Sequence, residues 1–357
     1  MEIKKRYLEL DFIKGISIIA VILIHTTAIL ISQETDEFSQ ITGIIINQIS
    51  RFCVPAFLFV AGILAYNSLL KISFISFMKK RIVEIIIPFI FWSTIGLLVW
   101  GDISIRNVII TFIFGFGPFH QLYYIPALFQ MYLISPFRSK ILKSNFSIIV
   151  LFILTILLFS FYQISSLNLF GLKESSTINL VFLTAFFSWI FYFSLGLAVG
   201  KNYQKVRDVI SGFSFRKIII FLIISISLVL LDSYYNWSFT GEIKSSLLSY
   251  FRPVVLIYSI SVILFLLKLG ILKNQKIIIS INDKSFGIYL THIFVLNIFQ
   301  LVTNGIFFRN LLGTIFSSLI ILVLSFYLCL LLEKLPFRSI TLGRSMIKKK
   351  VLKEGGI

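Results

Sequence analysis

Ten apolar runs of about span length dominate the chain, near residues 12–32, 43–70, 83–100, 122–137, 146–163, 180–200, 218–233, 247–267, 286–304 and 312–332. A helix needs roughly 20 apolar residues to cross a bilayer, and lipid tolerates only backbone whose polar groups are satisfied internally. The runs therefore predict an all-α, polytopic transmembrane helical bundle of about ten spans. Only 13% of residues are charged, where a soluble domain carries about a quarter. A single membrane domain over residues 1–357, with no soluble domain, is expected. The first run follows Lys4, Lys5 and Arg6, as a signal peptide would. It is of span length and no small-x-small cleavage pattern follows, so it is expected to remain as the first helix. Residues 101–121, with Gly101, Gly115, Gly117 and Pro118, read as a short re-entrant or interfacial piece.

The formal net charge is +18. In a soluble chain that excess would raise nucleic acid as a partner. Here membrane topology accounts for it, because Lys and Arg collect in loops on the cytoplasmic side and attract anionic lipid there. With the N-terminus inside, twenty-six cations fall in cytoplasmic segments and four, Arg106, Lys173, Lys244 and Arg309, fall outside with Glu34, Asp36 and Glu37. The alternation predicts that both termini are cytoplasmic. No nucleic-acid partner is expected.

Three cations escape this explanation: Lys14, Arg51 and Arg252. A charge within a span costs a few kcal/mol and faces a partner or a wet cavity. Lys14 and His25 are eleven residues apart, which puts them on one helix face and ~17 Å apart along it. Asp11 lies one turn before Lys14 and can pair with it. Lys14 snorkelling to headgroups and His25 bonding a neighbouring helix is the plainer alternative. Arg51 and Arg252, each followed closely by a proline, share the depth of His25, roughly 8–12 Å from the outer face by residue count. Two arginines at that level imply a pocket open outward, or an anionic partner inside the bundle. Asp232 is the candidate partner.

His120, Tyr123 and Tyr124 enter the fourth span from outside. The tyrosines fit an interfacial belt, and His120, near Pro118, fits either a cavity lip or an exposed loop. His292, in "SFGIYLTHIF", lies toward the cytoplasmic side of His25 by residue count, and packing is the plain reading. Three dispersed histidines, and Cys53 and Cys329 without a CxxC pair, give no metal-ligand spacing. No metal is expected.

Four segments, "RYLELDFIKGISIIAVILIHT", "RFCVPAFLFVAGILAY", "LYYIPALFQMYLISP" and "SFGIYLTHIFVL", resemble in order the signature segments of the acyltransferase 3 family. The resemblance spans nearly the whole chain. It implies a bacterial cytoplasmic-membrane O-acyltransferase that moves an acyl group, commonly acetyl, from cytoplasmic acyl-CoA to a hydroxyl of a surface or lipid-linked glycan. Acyl-CoA would be a co-substrate rather than a resident cofactor, and polysaccharide-synthesis machinery a partner. The family's basic residue, ten positions and histidine map onto Lys14 and His25, with Arg commoner at the first place. Its RxxR after the second span meets "KKRIVEIIIP" here, where Arg81 fits and Glu84 departs.

On that resemblance, Lys79, Lys80 and Arg81 would hold CoA phosphates, and Lys14 would help hold the pantetheine arm or its phosphate. His25 would take the acceptor's proton, with a transient acyl-imidazole as the alternative, and Arg51 or Arg252 would stabilise the oxyanion. A polysaccharide exporter or flippase stays open beside the enzyme, since intramembrane Arg and His also mark transport paths. The chain shows no inverted repeat or paired broken helices to favour it. A non-catalytic assembly partner would explain the topology and leave the polar stripe unexplained.

Overall fold

A computed structural model of the protein describes residues 7–33, 35–101, 103–137, 142, 144–167, 176–240, 249–272 and 276–343. Among the cations that set the expected orientation, Lys4, Lys5, Arg6, Arg138, Lys140, Lys143, Lys173, Lys244, Lys273, Arg344, Lys348, Lys349, Lys350 and Lys353 lie outside the described residues, as does Glu34. Nearly all the described residues are helical, with short connections between helices and no strand among them. In chain order the helices are α1 (Leu8–Ser32), α2 (Glu37–Ile49), α3 (Cys53–Leu69), α4 (Phe74–Arg81), α5 (Ile87–Trp100), α6 (Ile105–Ile109), α7 (Tyr124–Ile134), α8 (Asn145–Ser166), α9 (Ser176–Thr184), α10 (Ile190–Lys201), α11 (Tyr203–Gly212), α12 (Phe215–Thr240), α13 (Pro253–Leu272), α14 (Lys276–Thr303), α15 (Leu311–Lys334) and α16 (Arg338–Leu342).

Among the described residues, eight helical stretches are long and apolar enough to cross a membrane, including Glu37–Leu69 and Phe74–Trp100, each continuous through a short 3-10 or π turn. The chain is thus a multi-pass membrane protein. The other two runs expected to span are helical in pieces. Residues 120–137 are α7 between two 3-10 turns, His120–Tyr123 and Ser135–Phe137. The run near 180–200 breaks at Ala185, whose ψ of 142° is extended, between α9 and α10. A broken helix in lipid strands backbone groups. Gln130 of α7 repairs this one: its Nε2 donates to the Thr184 carbonyl at 2.8 Å and its Oε1 accepts from Phe186 N–H at 3.0 Å. Trp189 Nε1 donates to the Leu183 carbonyl across the same break. Hydropathy averages over such an interruption, because the residues that mend it are elsewhere in sequence. The segment read as re-entrant holds α6 and a π turn, Ile110–Phe114, ended by Gly115 at φ +67°.

Helix α1 is the hub, packed against α2, α3, α13, α14 and α15. Its apolar window is 61% buried, and that of Glu37–Leu69 is 72% buried. The corresponding figures for α8 and α12, 17% and 22%, mark them as peripheral. Their exposed Leu154, Leu157, Phe161, Ile223 and Leu231 are what a lipid-facing surface requires. Small residues set the closest approaches, as they do where helices associate without a hydrophobic drive. A Cβ on Gly15 would lie 2.4 Å from the Ile278 carbonyl oxygen, so α1 and α14 touch backbone to backbone. Gly62 of α3 and Gly196 of α10 face each other in the same way.

Candidate active site

Two cavities open on the stripe that α1 presents. One, of about 320 Å³, is lined by His25, Arg51, His120, Gln121, Tyr123, Tyr124, Tyr250 and Tyr289 among others. The second, of about 300 Å³, is lined by Lys14, Arg81, Glu84, Tyr132, Ser285, Tyr124 and Tyr289 among others. Tyr124 and Tyr289 line both, with ring centroids 5.6 Å apart, edge to face. The Tyr289 hydroxyl donates to the Gln121 carbonyl, which fixes one side of this septum. Since α1 runs unbroken from Leu8 to Ser32, Lys14 and His25 stand ~17 Å apart along one face, one in each cavity.

All three histidines of the chain converge. The His25 ring lies 5.1 Å from that of His120 and 5.2 Å from that of His292, centroid to centroid. The contact corrects only the more cytoplasmic position expected of His292: helix α14 packs on α1 so that His292 meets the His25 ring, which residue counting along separate spans does not register, while His292 itself lines neither cavity. His292 is 1% exposed, and its Nδ1 lies 2.8 Å from the Tyr289 carbonyl oxygen and 3.1 Å from that of Ile288. A nitrogen facing two carbonyls carries the proton, which leaves Nε2, buried and unpartnered, as an acceptor beside His25. His120 is exposed and lines the cavity, as a lip residue would. Close as the three rings are, no group of three His, Cys, Asp or Glu among the described residues has an arrangement that could hold a metal.

The two arginines expected at the depth of His25 part company. Arg51 sits in the 3-10 turn Ser50–Phe52 between α2 and α3 and lines the His25 cavity. Its Nε and Nη2 donate to Asn47 Oδ1 at 3.2 and 2.6 Å, and its guanidinium lies 4.7 Å over the Tyr250 ring. Asn47 is held in turn, its Nδ2 donating to the Ile24 carbonyl and to Thr27 Oγ1, both at 3.0 Å on α1. Arg252, 1% exposed, lines neither cavity. It donates to Asp232 at 2.6 Å, to Ser233 at 3.1 Å and to Gln48, so the inward pairing with Asp232 left open by the sequence is the one present. Pro253, following it, is the first residue of α13, where its missing N–H costs nothing. Asp232→Ala is expected to leave Arg252 buried and uncompensated, lowering stability by about 3–5 kcal/mol. Thermal unfolding in detergent checks this, and an unchanged melt with Ala at 232 would remove the ion pair as a support of the fold.

At the other cavity Lys14 pairs with Asp11 at 3.2 Å. Arg81 donates to Glu84 at 2.9 Å and packs over the rings of Phe77 and Tyr132, 4.9 and 5.2 Å away. The carboxylate at the departing position thus pairs with the arginine at the matching one, across the π turn Ile82–Ile86. Lys80 also reaches Glu84, at 3.7 Å, and both Lys79 and Lys80 are exposed and outside the cavity lining. Gly343, at φ +64°, closes over this region, since a Cβ there would sit 1.9 Å from the Glu84 carbonyl oxygen.

Tyr289, Tyr250 and Asn47 belong to the site and were not singled out by the sequence. The first lies three residues before His292 in a segment already distinctive, and the last lies one helical turn before Arg51, so both carried a local signal. Tyr250 carried none. Gln121, at the mouth of the fourth span, has neither amide atom hydrogen-bonded although it is buried against the cavity. An amide so placed costs about 1–3 kcal/mol unless something pairs with it.

Comparison with known proteins agrees with the geometry. The family profile described as "Acyltransferase domain", of the acyltransferase 3 family, matches residues 7–334. The chain is 26% identical to "Putative membrane-bound acyltransferase YfiQ" of Bacillus subtilis, over 80% of this chain and 79% of that one. It is 25% identical to "Probable poly-beta-1,6-N-acetyl-D-glucosamine export protein" of Staphylococcus aureus, over 98% of this chain and 99% of that one. A shorter similarity, 34% identity over 25% of this chain and 24% of the other, is to "Nodulation protein NolL" of Sinorhizobium fredii. No solved structure matches significantly. With its signature segments folded around one histidine and its profile match running almost from end to end, the chain belongs to the acyltransferase 3 family.

Proposed function

We propose that the protein carries an acyl group, most simply acetyl, from acyl-CoA held at the Lys14 cavity to a hydroxyl of a surface or lipid-linked glycan in the His25 cavity. In this reading it lies in the bacterial cytoplasmic membrane with the Lys14 cavity toward the cytoplasm. The observation that carries it is the pair of cavities set back to back at Tyr124 and Tyr289, with a basic residue of α1 in one and His25 in the other. A donor and an acceptor that never share a compartment need two such mouths and one meeting point. The acceptor oxygen attacks the thioester carbonyl while an unprotonated ring nitrogen of His25 takes its proton. The tetrahedral intermediate then expels the CoA thiolate, to which the proton is returned. His120 and His292 flank His25 and limit its orientation. Lys14 and Arg81 supply positive charge for the phosphates of CoA, and exposed Lys79 and Lys80 add to the field outside the mouth.

The end-to-end similarity to a protein named for polysaccharide export favours a second reading, in which the joined cavities form a glycan path. One preparation separates the two. The purified protein is placed in vesicles with labelled acetyl-CoA on the Lys14 side and an oligosaccharide on the His25 side. Labelled oligosaccharide, formed only with both present, is the expected result. Oligosaccharide crossing the vesicle without acyl-CoA, and without label, favours export and sinks the transferase reading.

A further inference from the structure

Arg51 is the one cavity-lining cation without a carboxylate partner among the described residues. Lys14 has Asp11, and Arg81 has Glu84. Elsewhere in the bundle Arg252 has Asp232, and Lys284 has Glu333. Arg51 is 7% exposed, and among the described residues the only hydrogen-bond acceptor it meets is the neutral Asn47 Oδ1, through Nε and Nη2. Its Nη1 makes no hydrogen bond to any described residue. A guanidinium cannot shed its charge, and a buried cation facing only neutral groups is costly. The position is nevertheless rigidly prepared. Asn47 is tied to two groups of α1, and Tyr250 supports the flat face of the guanidinium. A fork held this firmly, with its free edge in a 320 Å³ cavity, is built to receive an anion.

Resting on the reading of the His25 cavity as the acceptor site, we propose that the acceptor carries an anionic group, a carboxylate or a phosphate, and that Arg51 binds it. The charge anchors the sugar and so presents a neighbouring hydroxyl to His25. A neutral sugar lacks this anchor. Arg51 is thereby a specificity-determining residue, and the acceptor class is an acidic or phosphate-bearing glycan.

The test is binding to the full-length protein in detergent, with no acyl donor present, so that it reads independently of acyl transfer. The probes are a uronic-acid oligosaccharide, its methyl ester, and a sugar 1-phosphate. A charge-assisted hydrogen bond is worth about 1.5–3 kcal/mol, so the acid, the phosphate or both should bind about 10–100-fold more tightly than the ester. Which of the two wins distinguishes a uronate from a phosphate-linked acceptor. Arg51→Gln should bring the acid and ester affinities together, and Arg51→Lys, which keeps the charge, should retain a preference. The inference is overturned by equal affinities in the wild-type protein, a measurement that depends on no variant folding. It is overturned equally by a preference that survives Arg51→Gln. In turnover, the loss in Arg51→Gln should fall on the KM of the anionic acceptor. A fall in kcat shared by anionic and neutral acceptors would instead place Arg51 at the oxyanion. Discrimination that follows a dicarboxylic acyl donor rather than the acceptor would move the anion to the acyl group. Either result defeats the assignment.

Discussion

Replacing His25 with alanine should lower acyl transfer about 10²–10⁴-fold, the range of a positioned general base, with the thermal melt of the protein retained. The side chain is only half-buried and lines a cavity, so its removal enlarges existing space and opens no new void in packed core. The loss should appear in kcat and in kcat/KM together, since the proton transfer belongs to the transition state. The measurement is labelled-acetyl transfer in the two-sided vesicle assay, with wild-type and His25→Ala protein at matched incorporation. Full transfer by the alanine variant would end the mechanism proposed above. His120 and His292 stand beside His25, so a small residual rate carried by a neighbouring ring is compatible with it, and doubling the variant with His120→Ala should then remove that residue.

The second large effect concerns folding. Gly196→Ala is expected to destabilise the bundle by about 1–3 kcal/mol, the range for overpacking, and Gly196→Leu to prevent recovery of a monodisperse protein. A Cβ on Gly196 would lie 2.0 Å from the Phe59 carbonyl oxygen, and one on Gly62 would lie 2.2 Å from the Phe193 carbonyl oxygen. Helices α3 and α10 therefore meet through backbone on both sides, and neither has a flexible side-chain end that could yield. Because lipid offers apolar groups as good an environment as a neighbouring helix does, close packing of this kind carries much of the association. Gly212, at the end of α11, has nothing within 4 Å of its prospective Cβ, so Gly212→Ala serves as the neutral control. Detergent melts and size-exclusion profiles give the answer. A Gly196→Ala protein as stable as Gly212→Ala would show that the α3–α10 contact is not a support of the fold.

The loss of function and the loss of fold arise from different parts of one design. Arg51 lies at the turn from which α3 begins, so the seam formed by Gly62 and Gly196 also sets where the guanidinium stands. A weak seam should therefore reduce acceptor binding before it unfolds the protein. The α1 wall of the same cavity, which carries His25, depends less on that seam, since α1 is braced on five helices.

The all-helical, multi-pass character was legible in the residues alone. Each crossing segment must satisfy its own backbone and partition into lipid by itself, so hydropathy is a local property that needs no knowledge of neighbours. The Lys14–His25 stripe was legible for the same reason: an unbroken helix fixes the angle between residues eleven apart, and α1 is unbroken. So was the Asp11–Lys14 pair, which depends on a contact within one turn, whereas the pairing of Arg81 with Glu84 was not read from the sequence.

What the tertiary structure alone decided are relations between helices. It brought His120 and His292 to His25, residues that lie far apart in the chain and whose spacing says nothing of a site. It broke the run near 180–200 at Ala185, because Gln130 on another helix was there to pair with the opened backbone. It separated two arginines of equal depth, giving Asp232 to Arg252 and leaving Arg51 facing the cavity. The physical reason is common to all three. In lipid, hydropathy fixes which segments cross, while side-chain pairing and backbone contact between helices fix which faces meet, and those are set by residues that no local pattern connects.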